Sequence, residues 1–461
     1  MAAIVTDSFR RNNTQFFLDN IALTDSKYYL GLGKSEHWAT DEESTSLVIP
    51  IPLGIPSDDS DIKSNLTTLI KINAFSSGLV IPQIKWKAGA RYKAYGPTYP
   101  DCFYPSTLIG GGEVNPCYAV ISGRIYLCLK AGDGAVANIP VSTDYRALSY
   151  GSDGYIWILV DNVVTATANI NTDQFISISS GVAADSISAA IENDGGGLLY
   201  GFTVTSGGSG YTSTNSVQFV ARKNNNTEIT ITCPVNINST TGAIESVLLP
   251  ADYSYISESS KGIVDGYFIF GPAETGSGAV IVPHIAPASG FAYKPSATLP
   301  SWYVGIAVDA VDTISDDGLY IPYRQISILK DIEYSEGSSI DTLAALRYLT
   351  LASAPTSTPP VGSLITFGTT GIKAYFDNYS AVSVGGSTQH RVYFHQNSTT
   401  GYGVIPSTGS FTAPNNNTIN YLTVNNNEYT PRSGEVIFAE NRKKINRQSA
   451  QTEEIKIIIQ F

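Results

Sequence analysis

The sequence predicts a mainly β protein, built as a layered β-sandwich frame with a few peripheral helices and two all-β insertions. Short apolar runs, several of them alternating with period two, are separated by clusters of Gly, Pro, Asn and Asp along most of the chain. Charged residues make up only 15% of the 461 residues, and Gly, Ser, Thr, Asn and Tyr take their place. Helical spacing of apolar residues is confined to a few segments. This balance is typical of a strand-rich protein with many turns.

Three segments have the spacing of helices. The first follows Asp7, which can act as its N-cap. The second follows Asp61, another candidate cap, and carries an apolar stripe from Ile62 to Ile70. The third, Asp341–Leu351, is less regular. The first two helices therefore belong to the N-terminal part of the frame.

The end of the chain has the clearest strand pattern. Ile455, Ile457, Ile459 and Phe461 are spaced two apart, which gives a strand one apolar face. A strand at a chain end frays unless neighbours hold it, so we expect this one to close a sheet that earlier strands form. Interior strands are predicted at Val120–Leu129, Ile156–Val160, Phe175–Ile178 and Tyr303–Val308.

Two stretches differ in composition from the rest of the chain. Residues 184–286 are rich in Gly, Ser and Thr and contain two loosely similar units of strand, polar turn, Tyr and strand. Residues 352–431 begin with several prolines and continue as alternating runs between Asn-rich turns. We interpret the first as inserted β units and the second as inserted β hairpins. The frame then consists of residues 1–183, residues 287–351 and the closing strand within residues 432–461.

Charge and cysteine content exclude several classes of protein. A net charge of −12 argues against binding to nucleic acid and to anionic membranes, both of which need clustered Lys and Arg. No apolar run approaches the roughly 20 residues of a membrane span. The four cysteines include no CxxC pair, and so few in a chain of this length do not make a disulfide scaffold. We expect free thiols in a reducing cytosol.

The sequence contains no recognisable catalytic, metal or cofactor site. His390 and His395 are five residues apart, which places them on opposite faces of a strand. For His37 we expect a structural hydrogen bond. Glu453 and Glu454 are neighbours on a strand and point to opposite faces, so they cannot share a substrate. We therefore predict a protein without enzymatic activity, cofactor or metal.

One loop is unusually aromatic. The segment Arg91–Pro105 combines five aromatic residues with turn formers and a few charges. Tyr in such loops supplies rigid contact area at protein interfaces. The segment could equally be a packed surface loop. The candidate subunit-contact residues are Tyr92, Tyr95, Tyr99, Phe103 and Tyr104.

Six segments, spread in order over the chain, resemble a single family. They are AIVTDSFRRNN (Ala3–Asn13), LGKSEHW (Leu32–Trp38), GSDGYIWIL (Gly151–Leu159), YRQISIL (Tyr323–Leu329), SGEVIFAENR (Ser433–Arg442) and QTEEIKIIIQF (Gln451–Phe461). Together they resemble the baseplate wedge subunit of T4-like contractile-tailed bacteriophages, the product of gene eight. In that family the stretch between the fourth and fifth segments is much shorter, which agrees with an insertion there.

The resemblance implies a structural function. The chain is expected to be a homodimeric component of the tail baseplate in the virion, assembled in the host cytoplasm. It would join other wedge proteins, resembling the products of genes six, seven and ten, and permit their rearrangement when the tail contracts. The motif residues with an implied structural role are Trp38, Tyr155, Trp157, Arg324, Gln325, Glu440, Asn441, Arg442 and Phe461.

Two other functions remain open at this point. The chain could be a receptor-binding or fibre-attachment tail protein, if its Tyr- and Asn-rich insertions form exposed glycan-binding tips. It could also be a tail-associated glycan hydrolase, if two carboxylates face each other across a cleft at roughly 5–10 Å.

Overall fold

The mainly β prediction is confirmed. The computed structural model describes residues 5–23, 25–38, 48–96, 101–107, 112–132, 148–150, 153–163, 169–180, 196–211, 216–253, 261–271, 275–309, 321–334, 341–368, 370–414, 416–446 and 453–461. Within these residues there are 28 strands and only three α-helices.

The helices and strands follow one another in this order. The helices are α1 (Asp7–Ile21), α2 (Pro56–Ser64) and α3 (Pro295–Thr298). The strands are β1 (Tyr28–Gly33), β2 (Leu66–Lys71), β3 (Ser77–Pro82), β4 (Arg91–Tyr92), β5 (Ser106–Thr107), β6 (Glu113–Asn115), β7 (Tyr118–Ile121), β8 (Arg124–Lys130), β9 (Leu148–Tyr150), β10 (Ile156–Asn162), β11 (Phe175–Ser177), β12 (Leu199–Ser209), β13 (Ser216–Lys223), β14 (Glu228–Ile237), β15 (Ile244–Val247), β16 (Ile263–Ile269), β17 (Ser277–Ile285), β18 (Tyr303–Asp309), β19 (Tyr323–Lys330), β20 (Thr342–Ala344), β21 (Arg347–Leu351), β22 (Ser363–Phe367), β23 (Ile372–Val384), β24 (Ser387–His395), β25 (Gly409–Thr412), β26 (Thr418–Asn425), β27 (Glu435–Ile445) and β28 (Glu454–Gln460).

The chain forms two compact units. Unit 1 contains residues 1–16, 78–305 and 458–461, and unit 2 contains residues 17–77 and 306–457. Each unit is therefore assembled from segments that lie far apart in the sequence. The chain passes from one unit to the other within α1, β3, β18 and β28.

Unit 1 consists of several small sheets. Strands β12 and β17 form a long antiparallel ribbon, and β15-β14-β13-β16 form a four-stranded sheet with a shared apolar core around Phe219. A second four-stranded sheet has the order β7-β8-β10-β9, and a three-stranded sheet has the order β4-β6-β5. The sheet β11-β3-β18-β28 contains three predicted strands, since β11, β18 and β28 all lie where the sequence places them.

The pattern of the closing strand is confirmed. Ile455 and Ile457 are buried and Lys456 between them is exposed. β28 pairs with β18, and the Phe461 N–H donates to the Trp302 carbonyl over 3.0 Å. The chain end is thus held by neighbours, as a terminal strand requires.

Val120–Leu129 is two strands rather than the single strand expected. β7 ends at Ile121 and β8 begins at Arg124. Between them Ser122 and Gly123 have φ values of 48° and 76°, the left-handed pair that a two-residue hairpin turn requires. The sequence did not predict this turn because Ser122 occupies the first turn position, where Asn, Asp or Gly is typical.

Unit 2 contains a sheet and a barrel. The sheet has the order β20-β2-β1-β19-β27, and β1 at its centre pairs antiparallel with β2 and β19. The strands β21-β24-β23-β22-β25-β26 form a closed antiparallel barrel. Inward-facing side chains fill this barrel, among them Leu349, Phe367, Phe376, Phe394 and Phe411. Closure leaves the barrel without an unpaired edge strand.

The first predicted helix is confirmed, with a different cap. α1 begins at Asp7, but the Phe9 N–H donates to Oγ1 of Thr6 over 3.2 Å. Thr6 is therefore the N-cap. Asp7 occupies the first turn, where an acidic side chain interacts favourably with the helix dipole.

The second predicted helix is wrong beyond Ser64. α2 begins at Pro56 and ends at Ser64, and Leu66–Lys71 forms β2. β2 lies between β1 and β20 and is buried along nearly its whole length. A run buried on both faces has no period-two alternation, so periodicity alone cannot distinguish it from a buried helix.

The third predicted helix, Asp341–Leu351, is also wrong. It forms β20 and β21, which pair with different partners. Leu343 lies in the core of the sheet, Leu349 in the core of the barrel, and Leu346 beside Tyr393. The spacing of three residues that suggested one helical stripe instead distributes these leucines among three separate clusters.

Candidate functional site

A tight turn after β1 begins the site in unit 2. Gly33 ends β1, and a Cβ at this position would lie 2.5 Å from the Asn65 carbonyl oxygen. Lys34 then adopts a φ of 63°, and its N–H donates to the same carbonyl over 2.9 Å. The chain reverses here, and the next two residues, Ser35 and Glu36, are buried. The predicted motif segment therefore delivers a carboxylate to the interior.

A bulge in the barrel supplies the second carboxylate. Along β23 and β24, Phe376 pairs with Phe394 and Asn378 pairs with Tyr393, so Asp377 is the extra residue. A bulge re-aims the side chain of the extra residue. The Asp377 carboxylate is fully buried, with both oxygens 2.9 Å from Nδ1 of His395.

His395 lies between the two carboxylates. Its Nδ1 contacts Asp377, and its Nε2 is 3.2 Å from Oε2 of Glu36. The ring of Tyr375 stacks on the imidazole with centroids 5.4 Å apart. Two carboxylates on opposite ring nitrogens favour the imidazolium, which has a donor on each side.

Opposing effects set the pKa values of this cluster. Burial alone would lower the pKa of His395, but Asp377 and Glu36 raise it to about 10. Burial would raise the pKa of Glu36, but His395 and Lys34 lower it to about 2. For Asp377 burial prevails over its partners and raises the pKa of the carboxyl. His395 and Glu36 are therefore charged at neutral pH.

Further polar groups complete the network. Glu36 also accepts from the Lys34 ammonium and, over 2.9 Å, from Nδ2 of Asn397. The Ser35 hydroxyl donates to Asp377, and the buried guanidinium of Arg324 donates to the Ser35 carbonyl. A buried charge is tolerated only when it is paired and hydrogen-bonded in this way. We call Lys34, Ser35, Glu36, Arg324, Asp377, His395 and Asn397 the charge network.

The motif residues of unit 2 adjoin this network. The Lys34 ammonium lies 4.7 Å from the ring centroid of Trp38, and Nε1 of Trp38 donates to the Arg442 carbonyl over 3.0 Å. The Arg442 guanidinium pairs with Glu440 over 2.8 Å. The amides of Gln325 and Asn441 hydrogen-bond over 2.8 Å across β19 and β27. Six predicted residues, Trp38, Arg324, Gln325, Glu440, Asn441 and Arg442, thus share one region of unit 2.

The remaining motif residues lie in unit 1. Tyr155 and Trp157 are buried at and just before β10, with stacked rings 6.0 Å apart. Tyr92 meets Trp157 edge-to-face at 5.1 Å, and its N–H donates to the Tyr155 hydroxyl. Phe461 is half-buried and tied to Trp302 by its backbone. These residues pack unit 1 and do not join the charge network.

The aromatic loop divides into interior and surface positions. Tyr92 and Phe103 are buried, which assigns their side chains to packing rather than to contact with another subunit. Tyr95 is half-buried against Phe291, and burial raises its pKa to about 12. Tyr104 is 42% exposed. Tyr99 lies outside the described residues, so the contact prediction rests on Tyr104 and the exposed part of Tyr95.

Sequence reasoning missed Glu36, Asp377 and His395 as a group. His395 and His390 do have separate surroundings, and His390 instead contacts the Tyr379 hydroxyl at 2.8 Å. The expected structural hydrogen bond of His37 is wrong, since its side chain is exposed and no described residue is its partner. One signal was available, because Asp377 interrupts an apolar run inside a strand, where an acid needs a partner.

The charge network holds together segments of unit 2 that are distant in the sequence. Glu36, Asp377 and His395 are each at most 5% exposed, so their charged groups interact mainly with one another rather than with solvent. Within the described ranges, no group of three or more His, Cys, Asp and Glu is arranged to hold a metal ion.

None of the described helices is long and apolar enough to cross a membrane. All four cysteines are described, and each is free and buried.

Comparison with known families decides what this chain resembles. A family model described as Bacteriophage T4, Gp8 matches residues 3–143. The chain is similar to the Gp8 family. The resemblance inferred from the motifs is thereby confirmed, and it supports a structural role in a phage baseplate wedge. No curated protein matched the sequence.

The Gp8 match covers less than half of the chain. It includes the first two motif segments, Ala3–Asn13 and Leu32–Trp38, whereas the other four lie beyond residue 143. Trp38, inside the match, is hydrogen-bonded to Arg442, outside it. The hydrogen bond thus links the motif Leu32–Trp38, which lies inside the family match, to the motif Ser433–Arg442, which lies outside it.

Proposed function

We propose that this chain is a structural component of the baseplate wedge of a contractile phage tail. It joins other wedge proteins, resembling the products of genes six, seven and ten, and it acts as a homodimer without enzymatic activity. It is assembled in the host cytoplasm and resides in the virion. The observation that carries this proposal is the match of residues 3–143 to the T4 Gp8 family.

The contacts of Trp38 support extending the proposal beyond residue 143. Its hydrogen bond to Arg442 and its contact with Lys34 connect three motif positions in one unit. In a protein that shared only an N-terminal segment with the family, we would not expect contacts between these motif residues. Their proximity favours a common frame.

The charge network suggests where movement occurs. Breaking one partner of a buried ion pair costs about 3–5 kcal/mol, because a charge is left without compensation. The interior of unit 2 therefore resists change. We propose that rearrangement on contraction takes place at the surfaces between subunits, where few charges need to be desolvated, since only 15% of residues are charged.

The two carboxylates of the charge network do not favour a hydrolase. Glycan hydrolysis needs two carboxyl groups that face a substrate. Glu36 and Asp377 both form ion pairs with His395 and are buried.

A receptor-binding role is the second candidate, because one surface of unit 1 favours it. β16 is an edge strand, and it exposes Val264, Tyr267 and Ile269. Exposed apolar side chains on an edge strand are a typical place for another chain to bind.

Labelling of intact particles distinguishes the two candidates. Purified virions are decorated with a gold-conjugated antibody to this chain and imaged by negative-stain microscopy. Label at the baseplate supports the wedge proposal. Label at fibre tips would support the receptor-binding role instead, and particles without label would overturn both. The control for specificity uses antibody that has first been saturated with an excess of purified chain.

A further inference from the structure

A cavity of about 310 Å³ opens in unit 2 beside the charge network. Lys63 from α2, Arg347 from β21 and Arg432 from the turn before β27 contribute to its wall. Tyr402 and Tyr429 add aromatic rings. None of the described residues that line it is an Asp or a Glu. Three cationic side chains therefore share a concave surface on a protein whose net charge is −12.

None of the three cations is paired with a carboxylate of the described residues. The Lys63 ammonium donates to the Gly434 carbonyl. The Arg432 guanidinium lies 3.7 Å from the ring centroid of Tyr402, and that of Arg347 lies 5.3 Å from the ring of Phe394. Nε of Arg347 is buried and has no hydrogen-bond partner. A buried donor without an acceptor is costly, which points to an acceptor that enters from outside.

His395 also lines the cavity, but its charge is already balanced. Glu36 and Asp377 occupy its two ring nitrogens. The positive charge that remains for a ligand comes from Lys63, Arg347 and Arg432. Burial lowers the pKa of Arg347, and a bound anion would relieve this effect.

Hydrogen bonds within the wall hold the cavity in shape. The Tyr429 hydroxyl donates to the Lys63 carbonyl over 3.1 Å and accepts from the Arg432 N–H over 2.8 Å. The Tyr402 hydroxyl is 3.1 Å from Oγ of Ser64, and Nδ2 of Asn427 donates to the Ala345 carbonyl over 3.0 Å. These bonds tie the backbone at Lys63 and Arg432, from which two of the three cationic side chains extend, to the wall of the cavity. A wall held in shape reduces the entropy cost of binding.

We propose that this cavity is a binding site for a carboxylate-bearing anion. The guanidinium forks of Arg347 and Arg432 match the geometry of a carboxylate, and Lys63 adds a third charge. The carboxylate belongs either to a small organic acid or to an acidic side chain of a polypeptide. Val404 on the rim is 88% exposed and offers an apolar contact to either ligand. The site stands on its own geometry and does not depend on the wedge role.

Isothermal titration calorimetry on the full chain tests the proposal. One arm uses citrate and the other a capped tetraglutamate peptide, with a capped tetraglutamine peptide as its control. We expect binding at millimolar ligand or tighter. Arg432→Gln should weaken it by about tenfold or more, because a charged hydrogen bond contributes that much. Arg432 is exposed, so this variant should fold. Arg347→Gln is expected to have a similar effect.

The matched control is Lys373→Gln, which removes one positive charge from an exposed position on β23 of the same barrel. Its binding should equal that of the wild type. Tighter binding of citrate assigns the site to small acids, and tighter binding of the peptide assigns it to a polypeptide. The proposal is overturned if neither ligand binds, or if Lys373→Gln weakens binding as much as Arg432→Gln does.

Discussion

His395 is subject to two opposing effects. Its burial disfavours a positive charge, whereas the carboxylates of Glu36 and Asp377 require one. The carboxylates prevail because each ring nitrogen meets one of them within 3.2 Å. In a low-dielectric interior, Coulomb energy at that distance exceeds its value in water several-fold. The imidazolium is therefore the link that allows two buried acids to approach each other.

The stability of the protein should depend on pH through this network. The pKa of His395 is raised from 6.5 to about 10, so its contribution is complete below about pH 6.5 and is lost as pH rises toward 10. The pKa of Glu36 is lowered from 4.5 to about 2, so its contribution is present above about pH 4.5 and is lost as pH falls toward 2. Urea denaturation at pH 6 and pH 9 should give a lower free energy of unfolding at pH 9.

Substitution of His395 tests the same point. His395→Gln leaves Asp377 without a counter-charge and Glu36 with Lys34 alone, and it should lower the free energy of unfolding by about 3–5 kcal/mol at pH 6. The difference between pH 6 and pH 9 should shrink in this variant. The control is His390→Gln on the same strand, which removes one partly buried hydrogen bond to Tyr379 and should cost only about 1 kcal/mol. Equal losses in both variants would contradict a charged His395.

The four thiols should be unreactive in the folded protein. Burial raises the pKa of Cys117 and Cys128, and it raises that of Cys233 to about 12. Hydrogen bonding from Cys117 lowers the pKa of Cys102, but Cys102 is buried as well. A colorimetric thiol reagent should therefore react only after urea unfolds the chain. Thr388→Cys, at an exposed position of β24, supplies a thiol that reacts at once. Rapid reaction of the wild type would show that a cysteine is accessible.

The edge strand β28 illustrates how one element can support a sheet. Ile455 and Ile457 are buried, while Ile459 and Phe461 are partly buried. Full burial of each of the first two contributes about 1.5–3 kcal/mol, which is a large part of the about 5–15 kcal/mol that stabilises a domain. Its position at the sheet edge means that β28 adds a ladder to one neighbour only.

Deletion of Ile455–Phe461 should leave the protein insoluble or without a cooperative unfolding transition. Thermal unfolding followed by near-ultraviolet circular dichroism measures this. The point variants Ile457→Ser and Lys456→Ser separate the buried from the exposed face of the strand, and only the former should destabilise. A truncated protein that melts cooperatively within a few degrees of the wild type would show that β28 is dispensable.

Within the described part of residues 184–286, the first and the last strand pair with each other. Leu199 pairs with Ile285, and the Ala286 N–H donates to the Leu198 carbonyl over 2.7 Å. Leu198 and Ala286 are thus adjacent, which favours replacement of the segment by a short linker. Closure of a longer or shorter loop changes the free energy by only about 0.6 kcal/mol for each doubling of its length.

Replacement of Ala184–Ala286 by a short Gly/Ser linker should leave a folded protein. We expect one cooperative unfolding transition and an unchanged oligomeric state, measured by circular dichroism and sedimentation. Any contact made by Val264, Tyr267 and Ile269 would be lost, so assembly with partners should weaken. Loss of folding would show that these strands are part of the core of the frame.

The purified chain should sediment as a dimer at micromolar concentration and should not hydrolyse peptidoglycan or lipopolysaccharide. Both expectations rest on the resemblance to the Gp8 family. A monomer would contradict the first part. Activity that co-purifies with the wild type and disappears in Glu36→Gln would contradict the second.

Features that depend on local pattern could be predicted from the sequence alone. Period-two alternation identified β28, turn residues separated most strands, and α1 follows from a polar start and helical spacing. The motif segments were sufficient to suggest the Gp8 family before the match to residues 3–143. These features need no information about distant partners.

The remaining features depend on contacts between segments that are distant in the sequence. Leu66–Lys71 and Asp341–Leu351 form strands because neighbouring strands supply ladder partners, which outweighs their helical spacing. The charge network joins Ser35 to Asp377 across 342 positions, and a bulge aims the aspartate. A buried charge is tolerated only where opposite charges meet it, and that meeting depends on how distant segments pack.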